Sequence, residues 1–82
     1  MYYVYLLESL VDNSWYIGYT PDSPFNRLIK HNSGKGSKAL LGRLPVKLLY
    51  NETLENRSQA LVREAEIKNW ERDRKIDLIR GR

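Results

Sequence analysis

The stretch "WYIGYT", residues 15–20, decides the fold prediction and raises its main question. Two tyrosines, a tryptophan and an isoleucine are typical of a β-strand, whereas a glycine inside a strand weakens it. Because side chains alternate along a strand, Tyr16, Gly18 and Thr20 should share one face. We expect the bare patch at Gly18 to leave room for another element, or a ligand, to approach the sheet.

A second aromatic stretch, "YYVYLLE" at residues 2–8, contains no strand breaker and predicts a strand that is buried on both faces or nearly so. The turn-forming "DNS" at 12–14 joins the two strands into a hairpin. With a two-residue turn at 12–13, Leu7 lies opposite Gly18, and Tyr5 and Tyr16 project from one face about 13 Å apart, at roughly 3.3 Å per residue. The two tyrosines are then either core residues or, if a bulge or a longer loop draws their hydroxyls together, parts of one site.

The prolines at 21 and 24 end the second strand and prepare a helix, which we predict from Pro24 to His31. Its core-facing stripe should consist of Phe25, Leu28 and Ile29. The other faces should carry Arg27, Lys30 and His31. Two glycines in "NSGKGSK" then end the helix and begin a basic loop that reaches about Pro45.

The second half of the chain predicts one more strand and two helices. "VKLLYNE", 46–52, is the strand, and a helix follows with Asn56 or Ser58 as its cap. The charged run at 71–75 interrupts this helix, and a short final helix carries Ile76, Leu78 and Ile79. The order β-β-α-β-α-α predicts a single α+β domain over residues 1–82, with a small, three-stranded, mostly antiparallel sheet flanked by helices.

Composition and charge narrow the function classes. The 82 residues include no cysteine and one histidine, which excludes disulfides, cysteine-based metal sites and histidine-rich ones. With no long apolar run or signal-peptide pattern, we expect a soluble cytoplasmic protein without a membrane partner. The net charge is +4, and residues 23–51 contain six basic side chains and no acidic one. This block predicts a basic surface for phosphates, with a merely solvated face as the alternative.

Three segments resemble the GIY-YIG nuclease family. The triplet "YVY", residues 3–5, is followed after ten residues by "YIG", residues 16–18. "FNRLIKHNSGKGSK" is similar to the family's next helix, whose arginine is Arg27, and "SQALVREAEIKNW" to a later helix, whose glutamate is best matched by Glu64. The sequence departs from the family at Tyr3, which replaces the first glycine of the name motif, and in "ALLGR" after Lys38. It is most similar to small stand-alone members, which resemble the nuclease subunit of structure-specific endonucleases.

The resemblance implies hydrolysis of DNA phosphodiester bonds with one Mg²⁺ or Mn²⁺ ion, in DNA repair or recombination. Glu64 would bind the metal, as a hard cation prefers carboxylate oxygen, and Arg27 would grip the phosphate. Glu66 is the neighbouring candidate, but it lies about 200° round the helix from Glu64, so that only one of them can face the sheet. Tyr5 or Tyr16 would position or deprotonate the attacking water, and His31 is either a proton shuttle or a helix C-cap.

The same resemblance assigns a supporting role to other residues. Gly18 would be a structural residue of the site, and the DNA backbone would be held by Lys30, Lys35, Lys38 and Arg43. DNA structure rather than sequence should be recognised, with the help of a targeting protein partner. The alternative is a non-catalytic nucleic-acid-binding module that retains the nuclease fold, and a protein-interaction adaptor is the third hypothesis.

Overall fold

The computed structural model describes residues 1–81. The elements are β1 (Tyr2–Ser9), β2 (Trp15–Thr20), α1 (Pro24–Asn32), a 3₁₀ turn (Lys38–Leu40), β3 (Val46–Leu54), α2 (Arg57–Asn69) and α3 (Arg72–Ile79). The sheet order is β2-β1-β3, and β1 pairs antiparallel with both neighbours. The predicted α+β class and its β-β-α-β-α-α order are therefore confirmed. No helix in the described part of the chain is long and apolar enough to span a membrane.

The central strand β1 is buried on both faces, as its unbroken apolar pattern predicts. Val4 and Leu6 point to one face, where they pack with Ile17 and with Ala60 and Ile67 of α2. On the opposite face, the buried residues are Tyr5, Leu7, Leu40 and Val46, with Leu28 of α1 packed against them. The sheet thus separates an all-apolar layer from a layer that contains a tyrosine hydroxyl.

The hairpin register differs from the predicted one by two residues. Tyr5 lies opposite Gly18 and Leu7 opposite Tyr16, so the predicted pairing of Leu7 with Gly18 is wrong. The loop is longer than two residues because the Ser9 N–H donates to the Ser14 carbonyl and closes the hairpin around residues 10–13. The Ser9 hydroxyl stabilises this wider loop, since it accepts from the Val11 N–H and donates to the Arg43 carbonyl. A shift of two residues keeps every side chain on its predicted face.

Helix α1 presents a different face to the sheet from the predicted one. Phe25 and Ile29 are 62% and 68% exposed, so the predicted core stripe is wrong at both positions. The buried side of the helix instead carries Pro24 and His31, with Leu28 half-buried beside them. The opposing sheet face carries a buried tyrosine hydroxyl, which needs a hydrogen-bonding partner that a phenylalanine cannot supply.

The two ends of the basic loop are tied to each other by Asn32, the last residue of α1. Its side-chain amide donates to the Val46 carbonyl at 3.0 Å, and its amide oxygen accepts from the Val46 N–H at 2.8 Å. The Asn32 side chain thus satisfies both backbone groups of Val46, as the backbone of a neighbouring strand would do. The C-terminal end of α1 is therefore fixed against the sheet, next to His31.

Candidate active site

The bare patch at Gly18 is filled by a side chain of the neighbouring strand. A Cβ atom at this position would lie 2.6 Å from the Tyr5 hydroxyl oxygen and 3.0 Å from Cε1 of Tyr16. Glycine is needed here because the ring of Tyr5, directly opposite, lies across the backbone of β2. The expectation that the patch admits another element or a ligand is therefore corrected: it admits the Tyr5 ring.

Three aromatic rings meet over this glycine. The ring centroids of Tyr5 and Tyr16 are 6.4 Å apart, and that of His31 lies 6.0 Å from Tyr5 and 5.6 Å from Tyr16. The predicted separation of the tyrosines was about twice as large, because the two-residue hairpin turn placed them four residues apart along the strands. The observed register makes them diagonal neighbours.

His31 is buried, and both of its ring nitrogens have partners. Nε2 lies 2.9 Å from the Tyr5 hydroxyl oxygen, and Nδ1 accepts from the backbone N–H of Ser37 at 3.2 Å. The ring therefore links the central strand to the basic loop. Neither nitrogen is left for the last carbonyls of α1, so the C-cap alternative for the His31 side chain is wrong.

The electrostatics of the cluster favour the neutral forms of His31 and Tyr5. Burial, followed by the positive charges of Arg27 and Lys30, lowers the pKa of His31 below its ordinary value. Burial also raises the pKa of Tyr5, and the nearby Arg27 guanidinium opposes this rise without cancelling it. A Tyr5 phenolate is therefore disfavoured in the protein alone.

Arg27 faces the same cluster from α1, one helical turn before His31. Its Nε atom is buried and has no hydrogen-bond partner within residues 1–81. A buried donor that stays unsatisfied costs about 1–3 kcal/mol, so such a group is well suited to an incoming acceptor. A phosphate oxygen is an acceptor of the kind that a guanidinium binds best.

Glu64 and Glu66 lie in different surroundings. Glu64 follows the buried Ala60 by one turn of α2; its side chain is only 16% exposed and accepts from Lys68 Nζ at 3.2 Å. Its negative charge contributes to the raised pKa of Tyr5, after burial and the Tyr16 ring. Glu66 is exposed and lines a shallow surface pocket with Val62 and Arg63. Within residues 1–81, no three acidic or histidine side chains cluster as a metal cage would require.

The four predicted DNA-binding cations are exposed. None of them forms a salt bridge in the part of the chain that the structure describes. Lys35 and Lys38 flank the segment whose backbone contacts His31. Arg43 lies further away, since its carbonyl accepts a hydrogen bond from Ser9 at the C-terminal end of β1. The loop thus carries cations beside the ring cluster and also supplies one of its hydrogen bonds.

Gly36 and Ser37 are site residues that the sequence reasoning missed. A Cβ atom at residue 36 would overlap the His31 ring, and the Ser37 N–H is the donor to Nδ1. The available signal was the second glycine of "GKGS", which follows the histidine by five residues. Because glycine has no Cβ atom, it is favoured where the backbone approaches another group closely, and here that group is the ring of the nearby histidine.

Comparisons with known proteins found related sequences and a related fold. The family model described as "GIY-YIG catalytic domain" matches residues 1–77. A UPF0213 protein of Staphylococcus saprophyticus is 44% identical over 78 residues, which cover 95% of this chain and 93% of the relative. A UPF0213 protein of Haloquadratum walsbyi is 46% identical over 77 residues, covering 94% and 84%. The solution NMR structure of a UPF0213 protein from Bacillus halodurans superposes with a TM-score of 0.62 at 40% identity, over all of this chain and 86% of that one.

Proposed function

The chain belongs to the GIY-YIG family of nuclease domains, and on this premise we propose that it is an endonuclease that hydrolyses DNA phosphodiester bonds with one divalent metal ion. The observation that carries the proposal is the ring cluster over Gly18, beside the buried Nε of Arg27, which has no partner among residues 1–81. Buried donors usually have partners, so the Nε of Arg27 supports a site for an incoming acceptor. A role in DNA repair or recombination is part of the same proposal.

Substrate binding in this proposal relies on charge. Arg27 binds the scissile phosphate and stabilises the negative charge that develops on its oxygens during hydrolysis. The exposed cations hold the flanking backbone, and the six basic residues of 23–51 without an acidic one favour this surface for DNA. Contacts of this type depend on the positions of phosphates and not on the bases, so the structure of the DNA rather than its sequence would be recognised. A targeting protein partner would add further selectivity.

The tyrosines orient the attacking water. Because burial raises the pKa of Tyr5, its hydroxyl acts as a hydrogen-bonding group in the free protein and not as a preformed phenolate base. Tyr16 is half-buried at the edge of the cluster and is the second hydroxyl available for this purpose. A water held between two such groups and the phosphate is aligned for attack, and this alignment lowers the barrier by orientation.

Glu64 is the proposed protein ligand of the metal. A single, mostly buried carboxylate fits Mg²⁺ or Mn²⁺, which take few protein ligands and keep several waters. When bound, the ion offsets negative charge on the phosphate and on the leaving oxygen. Glu64 is preferred over Glu66 because its charge acts on Tyr5, while Glu66 lies with Val62 and Arg63 at a different surface.

Cleavage of labelled branched, single-stranded and duplex DNA at low salt, with Mg²⁺, Mn²⁺ or EDTA, tests the proposal. We expect metal-dependent cleavage that Glu64→Gln abolishes, at least about 100-fold, while DNA binding is retained or strengthened. Glu66→Gln is the matched control, since it makes the same change two residues away, and it should cleave like the wild type. Equal loss in both variants would refute the assignment of the metal to Glu64.

The second candidate function is a binding module that uses the same cations without cleavage. The exposed loop lysines favour it as much as they favour the nuclease, and both functions predict binding that weakens steeply with salt. The cleavage assay separates them. Salt-sensitive binding by a wild-type protein that cuts none of the substrates in either metal would support the binding module.

A further inference from the structure

We propose that the backbone of residues 36–37 locks His31 in the tautomer that carries its proton on Nε2, so that His31 is a fixed hydrogen-bond donor to Tyr5. His31 is then a positioning residue and not the proton shuttle that the sequence suggested. The catalytic consequence rests on the proposed nuclease function, whereas the tautomer itself can be measured without any activity.

The direction of both hydrogen bonds follows from one donor. A backbone N–H can only donate, so the 3.2 Å bond from Ser37 requires a lone pair on Nδ1 of His31. A neutral imidazole carries one proton, which must then be on Nε2. At 2.9 Å from the Tyr5 hydroxyl oxygen, Nε2–H is the donor and Tyr5 the acceptor. The hydroxyl proton of Tyr5 is left free to point elsewhere.

Close packing enforces this arrangement. His31 is 1% exposed, so water does not compete for its nitrogens. The loop reaches Nδ1 because residue 36 is glycine, since any Cβ atom there would overlap the ring. The imidazolium form is disfavoured by burial, then by the charges of Arg27 and Lys30, all of which lower the pKa of His31. It would also set an N–H at Nδ1 against the N–H of Ser37.

The consequence is a defined role for Tyr5. Its oxygen accepts from His31, and its own proton cannot move to Nε2, which is already protonated. Tyr5 can therefore donate a hydrogen bond to an oxygen of the water or the phosphate, while its own oxygen keeps a fixed N–H donor from His31. A shuttle would require the opposite tautomer, with a lone pair on Nε2.

Nitrogen-15 NMR of the ring tests the tautomer directly, because the chain has one histidine and its ring signals need no assignment by mutation. At neutral pH we expect a pyridine-like shift at Nδ1 and a pyrrole-like shift at Nε2. The reverse pattern, or averaged shifts from fast exchange between tautomers, would overturn the proposal. A wild type that cleaves no DNA would refute the nuclease function and leave this measurement unaffected.

Two glycines of the same loop provide the matched test of the packing. Gly36→Ala should move both ring signals towards an averaged tautomer population, since the loop must withdraw from Nδ1. Gly42→Ala adds the same methyl group where no atom of residues 1–81 lies within 4 Å, and it should leave the ring spectrum unchanged. An unchanged spectrum in Gly36→Ala, or an equal change in both variants, would contradict the role of residue 36.

Glutamine at position 31 separates positioning from proton transfer. Its amide can donate to Tyr5 through nitrogen and accept from Ser37 through oxygen, but it cannot take up a proton. We expect His31→Gln to cleave DNA within about tenfold of the wild type, and His31→Leu to lose about 100-fold or more. Equal losses in the two variants, both folded by circular dichroism, would overturn the positioning role.

Discussion

Gly18 and Tyr5 face each other across the first hairpin, and their contact decides where the candidate site forms. The strand contains a glycine at this position because any side chain there would occupy the space of the Tyr5 ring over the backbone. The ring then meets Tyr16 and His31, and its hydroxyl oxygen lies 2.9 Å from Nε2 of His31. One missing side chain therefore allows three rings to assemble.

Gly18→Ala is predicted to damage stability and cleavage together. The added methyl group would lie 2.6 Å from the Tyr5 hydroxyl oxygen, and the buried ring must move to accommodate it, at a cost of about 1–3 kcal/mol. Urea unfolding measures the loss of stability, and the DNA assay measures the loss of activity. Gly42→Ala, which adds a methyl group in open space, is the control and should change neither. A Gly18→Ala protein as stable as the wild type would show that the ring has room to move.

The lowered pKa of His31 predicts a loss of stability in mild acid. The unfolded chain takes up a proton near the ordinary pKa of 6.5, while the folded chain resists protonation until a lower pH. The unfolded state binds more protons below pH 6.5, so this contribution is complete above that pH and is lost as the pH falls below it. Urea unfolding between pH 8 and pH 5 measures the effect. The wild type should lose more stability over this range than His31→Gln, and parallel curves for the two proteins would argue against it.

At the scale of the element, α1 turns one edge of its predicted apolar stripe towards the sheet, together with the polar His31. Phe25 and Ile29 are exposed, and the half-buried Leu28 is the aliphatic side chain of this helix that packs against the Tyr5 layer. The sheet face dictates this orientation, because the Tyr5 hydroxyl accepts a hydrogen bond from α1 and the Asn32 amide fixes the end of the helix at Val46. The helix thus faces the sheet with Leu28 and the polar His31, while its Phe25 and Ile29 side is exposed.

Two neighbouring substitutions in α1 test this orientation. Ile29→Ala should change the free energy of unfolding by less than about 0.5 kcal/mol, since the side chain is 68% exposed. Leu28→Ala should cost about 2 kcal/mol or more, because it removes contacts with the Tyr5 layer. Chemical denaturation of both variants gives the two values. The reverse order would mean that the helix packs with its Phe25 and Ile29 side against the sheet.

At the scale of the whole molecule, charge is distributed unevenly along the chain. The net charge of +4 arises mainly from residues 23–51, which lie in α1, the basic loop and most of β3. Acidic residues such as Glu8, Glu52 and Glu64 are instead paired with Lys47, Arg63 and Lys68. The cations of the basic loop form no salt bridge with any of residues 1–81 and can therefore contact phosphates.

Removing two of these cations should weaken DNA binding in a characteristic way. Each phosphate contact releases condensed counterions, so Lys35→Ala combined with Lys38→Ala should make the slope of log K against log salt shallower by about 2, equally for all sequences. Fluorescence anisotropy over a range of salt concentrations measures the slope. Lys75→Ala with Arg80→Ala, two substitutions in the α3 region, is the charge-matched control and should leave it nearly unchanged. An equal effect in both double variants would indicate non-specific attraction by net charge.

The sequence by itself determined the class of the fold, the order of its elements and the family. These features depend on local patterns, namely aromatic runs bounded by turn residues and the spacing of "YVY" and "YIG". The break between the last two helices is also confirmed, but it lies at residues 70–71, and the charged run predicted to form it at 71–75 is mostly the first turn of α3. Helix and strand periods, and fixed motif spacings, are properties of neighbouring residues. These periods and spacings can be read from the sequence without knowing what each element packs against.

The tertiary structure alone decided the hairpin register, the inward face of α1 and the partners of His31. A strand has a side-chain period of two, so a shift of two residues leaves its alternating pattern unchanged, and only the loop at 10–13 distinguishes Tyr5 opposite Gly18 from the predicted pairing. The face of α1 depends on the hydroxyl that it meets, and the Nδ1 partner of His31 comes from the backbone of a loop. The loop geometry decides the register, the other two choices are made by contacts between distant segments, and the periodic pattern of the sequence encodes none of the three.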